Sequence, residues 1–232
     1  MAPPAGRIKL DRKALREPDE FQTLTRQVGK WAEANRTTVV AVVAAALALA
    51  AVAAGVNWYR ASQSASAAVR FQAAYDDFQA SRWAEAADGF AGLARDYPRT
   101  PYGRLASLYE GHALSRKPDP AAAATAYGEF LSGSPPTDYL RQEALVGLAR
   151  AREATGDAAG ARDAYEQAAV LDGPFRSDAR LSLARLYEAA GQPDKAKELY
   201  LAVLKESPTG FARTVLEAKI PADVATAGGE SR

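Results

Sequence analysis

The sequence predicts an all-α protein, with one membrane-spanning helix near the N-terminus and then an α-solenoid of about four helix pairs closed by a short capping helix. Three observations carry this expectation. Residues 37–59 contain no Asp, Glu, Lys or Arg and lie between Arg36 and Arg60. A pattern of alanine, three residues, then an aromatic returns four times, at intervals of 37, 38 and 35 residues, a period typical of stacked helical repeats. Twelve residues before each of these alanines stands a small residue, and twelve after three of them stands a proline.

Composition narrows the functional classes. The 232 residues are 48% hydrophobic and 25% charged, with no cysteine and one histidine, His112. Disulfides, iron-sulfur clusters, and zinc sites built from Cys and His are thereby excluded. The net charge of +1 gives no global bias toward nucleic acid. That average conceals a division, because residues 1–36 carry +3 and residues 61–232 carry −3, with Arg60 between them.

The lead, 1–36, begins with a stretch expected to be flexible. Pro18 then suits a first helical turn, and Glu17, Asp19 and Glu20 suit the positive end of a helix dipole. A helix over about 19–35 places Phe21, Leu24, Val28 and Trp31 on one face. Such a face can lie on the inner membrane surface, dock on a protein, or form an ordinary amphipathic surface. Over 37–59 a helix would be roughly 35 Å long, against a bilayer core of about 30 Å. Trp31 precedes this span, and Trp58 and Tyr59 end it, where amphipathic rings favour the headgroup region. A soluble core helix would normally carry a polar stripe, and a cleaved signal would have a shorter lead, so an uncleaved anchor is the preferred reading. The Lys/Arg bias upstream favours a cytoplasmic N-terminus. Residues 60–66 are read as a linker.

In the remainder, the alanine-aromatic pairs are Ala86/Phe90, Ala123/Tyr127, Ala161/Tyr165 and Ala196/Tyr200. The small residues before them are Ala74, Gly111, Ala149 and Ala184. A small residue on each of two antiparallel helices permits a close crossing. An aromatic then fills the space toward the next pair, and Pro98, Pro135 and Pro208 stop the second helix. In the third unit Gly173 and Pro174 take that place. These positions resemble the tetratricopeptide repeat family. The fourth unit is the best match, with Leu183, Ala184, Tyr187, Gly191, Ala196, Tyr200 and Pro208 in register. The second departs through three extra residues and a Lys117-Pro118-Asp119-Pro120 turn. The repeat domain is expected over 67–219, with units at about 67–100, 104–137, 142–175 and 177–210 and a cap at 210–219. Residues 220–232 are expected to be disordered.

The order of lead, span and repeats is similar to that of the YfgM-like class of bacterial inner-membrane proteins, ancillary to the SecYEG translocon. This resemblance implies a single-pass anchor with the repeats in the periplasm, near translocon subunits, periplasmic chaperones or exported clients. An organiser of envelope division or cell-wall synthesis has the same layout, and an enzyme with an unrecognised site is a remote third reading.

In solenoids of this type the first helices line a concave groove that receives peptides. At equal offsets from the small residue, one row is Phe71, Leu108, Val146 and Leu181. A second is Tyr75, His112, Arg150 and Arg185, and a third runs Phe78, Ser115, Glu153 and Glu188. The protein-binding groove is therefore expected from Phe71, Tyr75, Phe78, Leu108, His112, Val146, Arg150, Leu181 and Arg185, for partner segments with apolar anchors and acidic or carbonyl groups. The bland alternative packs Phe71 and Phe78 against Phe90 and Trp83 and leaves the charges as a solvated face. No Gly-x-Ser-x-Gly elbow surrounds a serine, no glycine-rich phosphate loop is present, and adjacent carboxylates such as Asp76 and Asp77 diverge on a helix. No catalytic residue, cofactor, metal, nucleic acid or small-molecule substrate is expected.

Overall fold

A computed structural model describes residues 28–133, 135–206 and Leu216, and among them all regular structure is helical. The chain divides into two units after Tyr59. In the first, residues 28–34 are helical and Asn35 forms a turn, its amide donating to the Trp31 carbonyl at 2.9 Å. Helix α1, Arg36–Gln79, begins there. It is long and apolar enough to cross a membrane, and none of its most apolar stretch is buried. Residues 60–66, expected as a linker, are helical within α1. Nothing in Ala61-Ser62-Gln63-Ser64-Ala65-Ser66 breaks a helix, since it contains neither Gly nor Pro.

The second unit pairs the end of α1 with α2, Trp83–Asp96. The next pair is α3, Pro101–Arg116, with α4, Pro120–Ser132. Then come α5, Asp138–Ala154, with α6, Ala158–Val170, and α7, Arg176–Ala189, with α8, Pro193–Glu206. Start signals are local. Thr100, Asp119, Thr137 and Asp157 each accept a backbone N–H three residues on, and Pro101 and Pro120 occupy first helical positions. Gly156 and Gly191, with positive φ of 81° and 70°, turn the chain between the helices of the third and fourth pairs.

All four repeat alanines and their aromatics are buried, as are the four small residues before them. The crossings are close. A methyl group built on Gly89 would stand 2.9 Å from the Ala74 side chain, so α1 and α2 touch almost backbone to backbone. Leu216 is helical and buried against Ala184, Ala196, Tyr200 and Val203. The rest of the expected cap, the tail 220–232 and most of the lead lie outside the described residues.

One buried polar side chain ties two pairs together. Gln142 of α5 has no exposed surface. Its amide nitrogen donates to the carbonyls of Ala168 and Leu171, each at 3.0 Å, and its oxygen accepts from the Phe175 amide at 3.1 Å. The end of α6, the following turn and the start of α7 are thus held by one side chain. Gly173 is required beside it, because a Cβ there would lie 2.4 Å from the Gln142 oxygen. On the outer edge, Glu206 of α8 pairs with Arg176 and Arg180 of α7, exposed contacts of modest value.

Gln142→Ala strips buried carbonyl and amide groups of their partner, and about 2–4 kcal/mol of stability is expected to be lost. Urea denaturation reads this as a lower midpoint, and an unchanged midpoint would separate the clamp from stability.

Candidate functional site

The site is built around Tyr127. Its ring, on α4, passes between two glycines of neighbouring first helices, Gly111 of α3 and Gly147 of α5. A Cβ on Gly111 would come within 2.7 Å of the ring, and one on Gly147 within 2.5 Å. Only glycine admits the ring at both places, and the phenol reaches through to the inner face. There its hydroxyl lies 2.9 Å from Nδ1 of His112 and 3.2 Å from Oγ of Ser115. The Ser115 hydroxyl donates to the Gly111 carbonyl at 2.7 Å. Nε2 of His112 stands 3.2 Å from a carboxylate oxygen of Glu143 on α5. Burial, foremost, pushes the Tyr127 phenol above its ordinary range, while the Ser115 contact pulls the other way. One stage along, Tyr165 of α6 donates to Glu153 at 2.7 Å, and burial together with that bond pushes its phenol up to about 12.

Above this relay lies a concave cavity of about 750 Å³. Phe78, Val146 and Phe175 give it apolar walls, and Arg116, Lys117 and Arg150 give it cationic ones. Its one lining carboxylate, Glu143, is engaged by His112. Arg116 sits 5.9 Å from the centre of the Trp83 ring. Arg150 is exposed and only 3.8 Å from Asp178, a loose surface pair. The cavity therefore offers positive charge beside apolar surface, suited to an anionic group next to a hydrophobic one. The two imidazole nitrogens of His112 face a phenol and a carboxylate. Among the described residues no group of three or more potential ligands could hold a metal.

Of the residues named from the sequence, Phe78, His112, Val146 and Arg150 line this cavity together. Others go elsewhere. Leu108 is 1% exposed and belongs to the core, and Val146 at 3% forms floor more than surface, so the expected apolar row is not an open ladder. The reason is the close α3–α5 spacing that the glycines permit. Phe71 and Tyr75 are half-buried in an aromatic cluster with Phe90 and Tyr109, with ring centres 5.2 to 5.8 Å apart in the Phe71–Phe90, Phe71–Tyr109 and Tyr75–Tyr109 contacts. Phe78 meets Trp83 edge-on at 5.1 Å. Leu181 packs against the core of the fourth pair, and Arg185 is exposed, donating to Ser182 at 3.2 Å. Sequence reasoning missed Glu143, Arg116, Lys117, Phe175 and the Tyr127 hydroxyl as parts of the site. The Lys117-Pro118-Asp119-Pro120 turn, which stands where the third and fourth units have a glycine turn, was the available signal for Lys117.

Tyr127→Phe keeps the wedge and removes the hydroxyl, with an expected loss of about 1 kcal/mol. Gly147→Ala forces a methyl into the ring and is expected to cost about 1–3 kcal/mol. Chemical denaturation of both variants checks this order, and a Gly147→Ala variant as stable as the parent would overturn the wedge.

A model of the tetratricopeptide repeat-like domain family matches residues 30–222. Solved structures share the architecture at low identity. A tetratricopeptide repeat protein from Parabacteroides merdae superposes with a TM-score of 0.58 at 17% identity, covering 66% of this chain and 58% of its own. For MamA the values are 0.56 and 18%, covering 66% of this chain and 81% of that one. For PilF of Pseudomonas aeruginosa they are 0.52 and 17%, covering 66% of each. The chain thus spans little more than half the length of the Parabacteroides merdae protein. No curated protein matches the sequence. Helix pairs with a small residue at each crossing and an aromatic wedge toward the next pair, matched by a family model over most of the length, establish that the chain belongs to the tetratricopeptide repeat-like family.

Proposed function

We propose that this chain is a membrane-anchored protein-protein interaction scaffold of the bacterial envelope. Residues 37–59 cross the inner membrane, the lead 1–36 stays in the cytoplasm, and the repeat domain 67–219 works in the periplasm. The observation that carries the binding role is the concave cavity of about 750 Å³, where Arg116, Lys117 and Arg150 stand beside Phe78, Val146 and Phe175. A partner segment with an acidic group next to an apolar side chain satisfies both kinds of wall. The anchor rests on the apolar, unburied stretch of α1 and the orientation on the Lys/Arg excess ahead of it. Within this frame the role we favour is that of an accessory to protein translocation, holding exported clients or chaperones near the Sec translocon.

Three measurements test the parts separately. A C-terminal reporter active only outside the cytoplasm is expected to be active, and a silent fusion would reverse the orientation. Crosslinking in native membranes is expected to recover translocon subunits; recovery of division or wall-synthesis components instead would replace the translocation role. Lys117→Glu with Arg150→Glu is expected to reduce partner recovery at least tenfold without lowering the thermal midpoint, and unchanged recovery would remove the groove from the binding role.

A further inference from the structure

Glu110 lies in the middle of α3, one residue before the small residue Gly111. The same position holds Leu148 in the third pair and Leu183 in the fourth, and both are buried in the core. A carboxyl group thus stands where the third and fourth pairs bury a leucine and the first has the exposed Ala73. With Ser107, itself buried, it lines a second cavity of about 430 Å³ between the outer helices of the first two pairs, walled by Ala94 and Arg95 of α2 and by Glu129 and Phe130 of α4. Among the described residues no hydrogen bond or ion pair reaches the Glu110 carboxyl.

The charged groups facing Glu110 come from each neighbouring helix. Asp88 and Arg95 belong to α2, Glu129 to α4 and Arg104 to α3. Both arginines are engaged at the rim, Arg95 with Asp96 at 3.5 Å and Arg104 with the Arg99 carbonyl at 3.4 Å. The two carboxylates are left facing a third. Burial first, then Glu129 and Asp88, raise the Glu110 carboxyl from 4.5 to about 7.

We propose that Glu110 is a proton-sensitive plug at the joint between the first two helix pairs: protonated, it packs into the α2–α4 cleft as Leu148 and Leu183 pack in theirs, and ionised, it loosens that joint. A group that holds its proton more tightly in the folded chain than in the unfolded one stabilises fully at acidic pH. That stabilisation falls away as pH rises from about 4.5 to about 7 and is absent above. The N-terminal half of the repeat domain would therefore stiffen or relax over a range reached in ordinary bacterial surroundings, independently of what the groove binds.

The test uses the full chain in detergent micelles, with thermal midpoints measured from pH 4.5 to 8.5 for the parent, Glu110→Gln and Glu110→Leu. The Gln variant is expected to match the parent near pH 4.5 and to exceed it by about 2–4 °C at pH 7.5 and above. The Leu variant is expected to exceed the parent most at the alkaline end. An NMR titration of the Glu110 carboxyl in the parent is expected to show a midpoint near neutrality. A difference between Gln variant and parent that stays constant across the range, or a Glu110 midpoint at the ordinary carboxylate value, would overturn the proposal. The NMR arm needs no variant, so a misfolded Leu or Gln protein leaves the test intact.

Discussion

The close approach of helix backbones is the constraint on which the rest of the second unit depends. Two helices reach that distance only where the crossing residue has almost no side chain, and each helix pair supplies one, from Ala74 to Ala184. Once the backbones are that near, the only space left is a slot toward the next pair, and a flat ring fills it. Tyr127 shows the logic most fully, because it is flanked on both sides by glycine. The aromatic is thus both the mortar between repeats and, through its hydroxyl, a fixed polar point on the inner face. Packing and site are set by the same atoms.

From this constraint follows the character of the groove. Close spacing draws Leu108 and Val146 inward and leaves the inner surface to longer side chains, which are charged or aromatic. The first pair packs Phe71, Tyr75, Phe78 and Phe90 against Tyr109 of the second pair in one interlocked group. Positive charge collects at the second and third pairs, where Arg116, Lys117 and Arg150 surround a cavity whose one carboxylate is already taken by His112. The inner face is therefore graded along its length, apolar at one end and cationic in the middle.

Much of the fold could be read from the sequence because repetition makes each position visible four times. The helix pairs and their alanine-aromatic registers recur at fixed offsets; the start signals at Thr100, Asp119, Thr137 and Asp157 are equally local, though they were not singled out from the sequence. A helix through 60–66 was not anticipated, since a polar, small-residue stretch looks like a spacer when its helix propensity is not weighed against the helices on either side. The site was half legible. Offsets from the small residue put His112 and Arg150 in one row, and both line the cavity, but how deep a row sinks depends on the spacing of neighbouring helices, which no single helix encodes. Leu108 lost its expected exposure for that reason. Glu143 was invisible because its role exists only through an imidazole thirty-one positions away.

The repeats also differ in how freely their connections can change. Between α6 and α7 one amide reads two carbonyls and an N–H at fixed separations, with a glycine pressed against it, so the loop cannot gain or lose a residue without emptying the clamp. Between α3 and α4 the turn 117–119 has the same three-residue length as the turns 80–82, 155–157 and 190–192 inside the other pairs, and it lies at the mouth of the cavity. Variation in the side chains of that turn changes the rim that meets a partner and leaves the joint between α6 and α7 untouched. A lineage of such proteins can retune what it recognises by exchanging the residues of one turn while its scaffold stays in register.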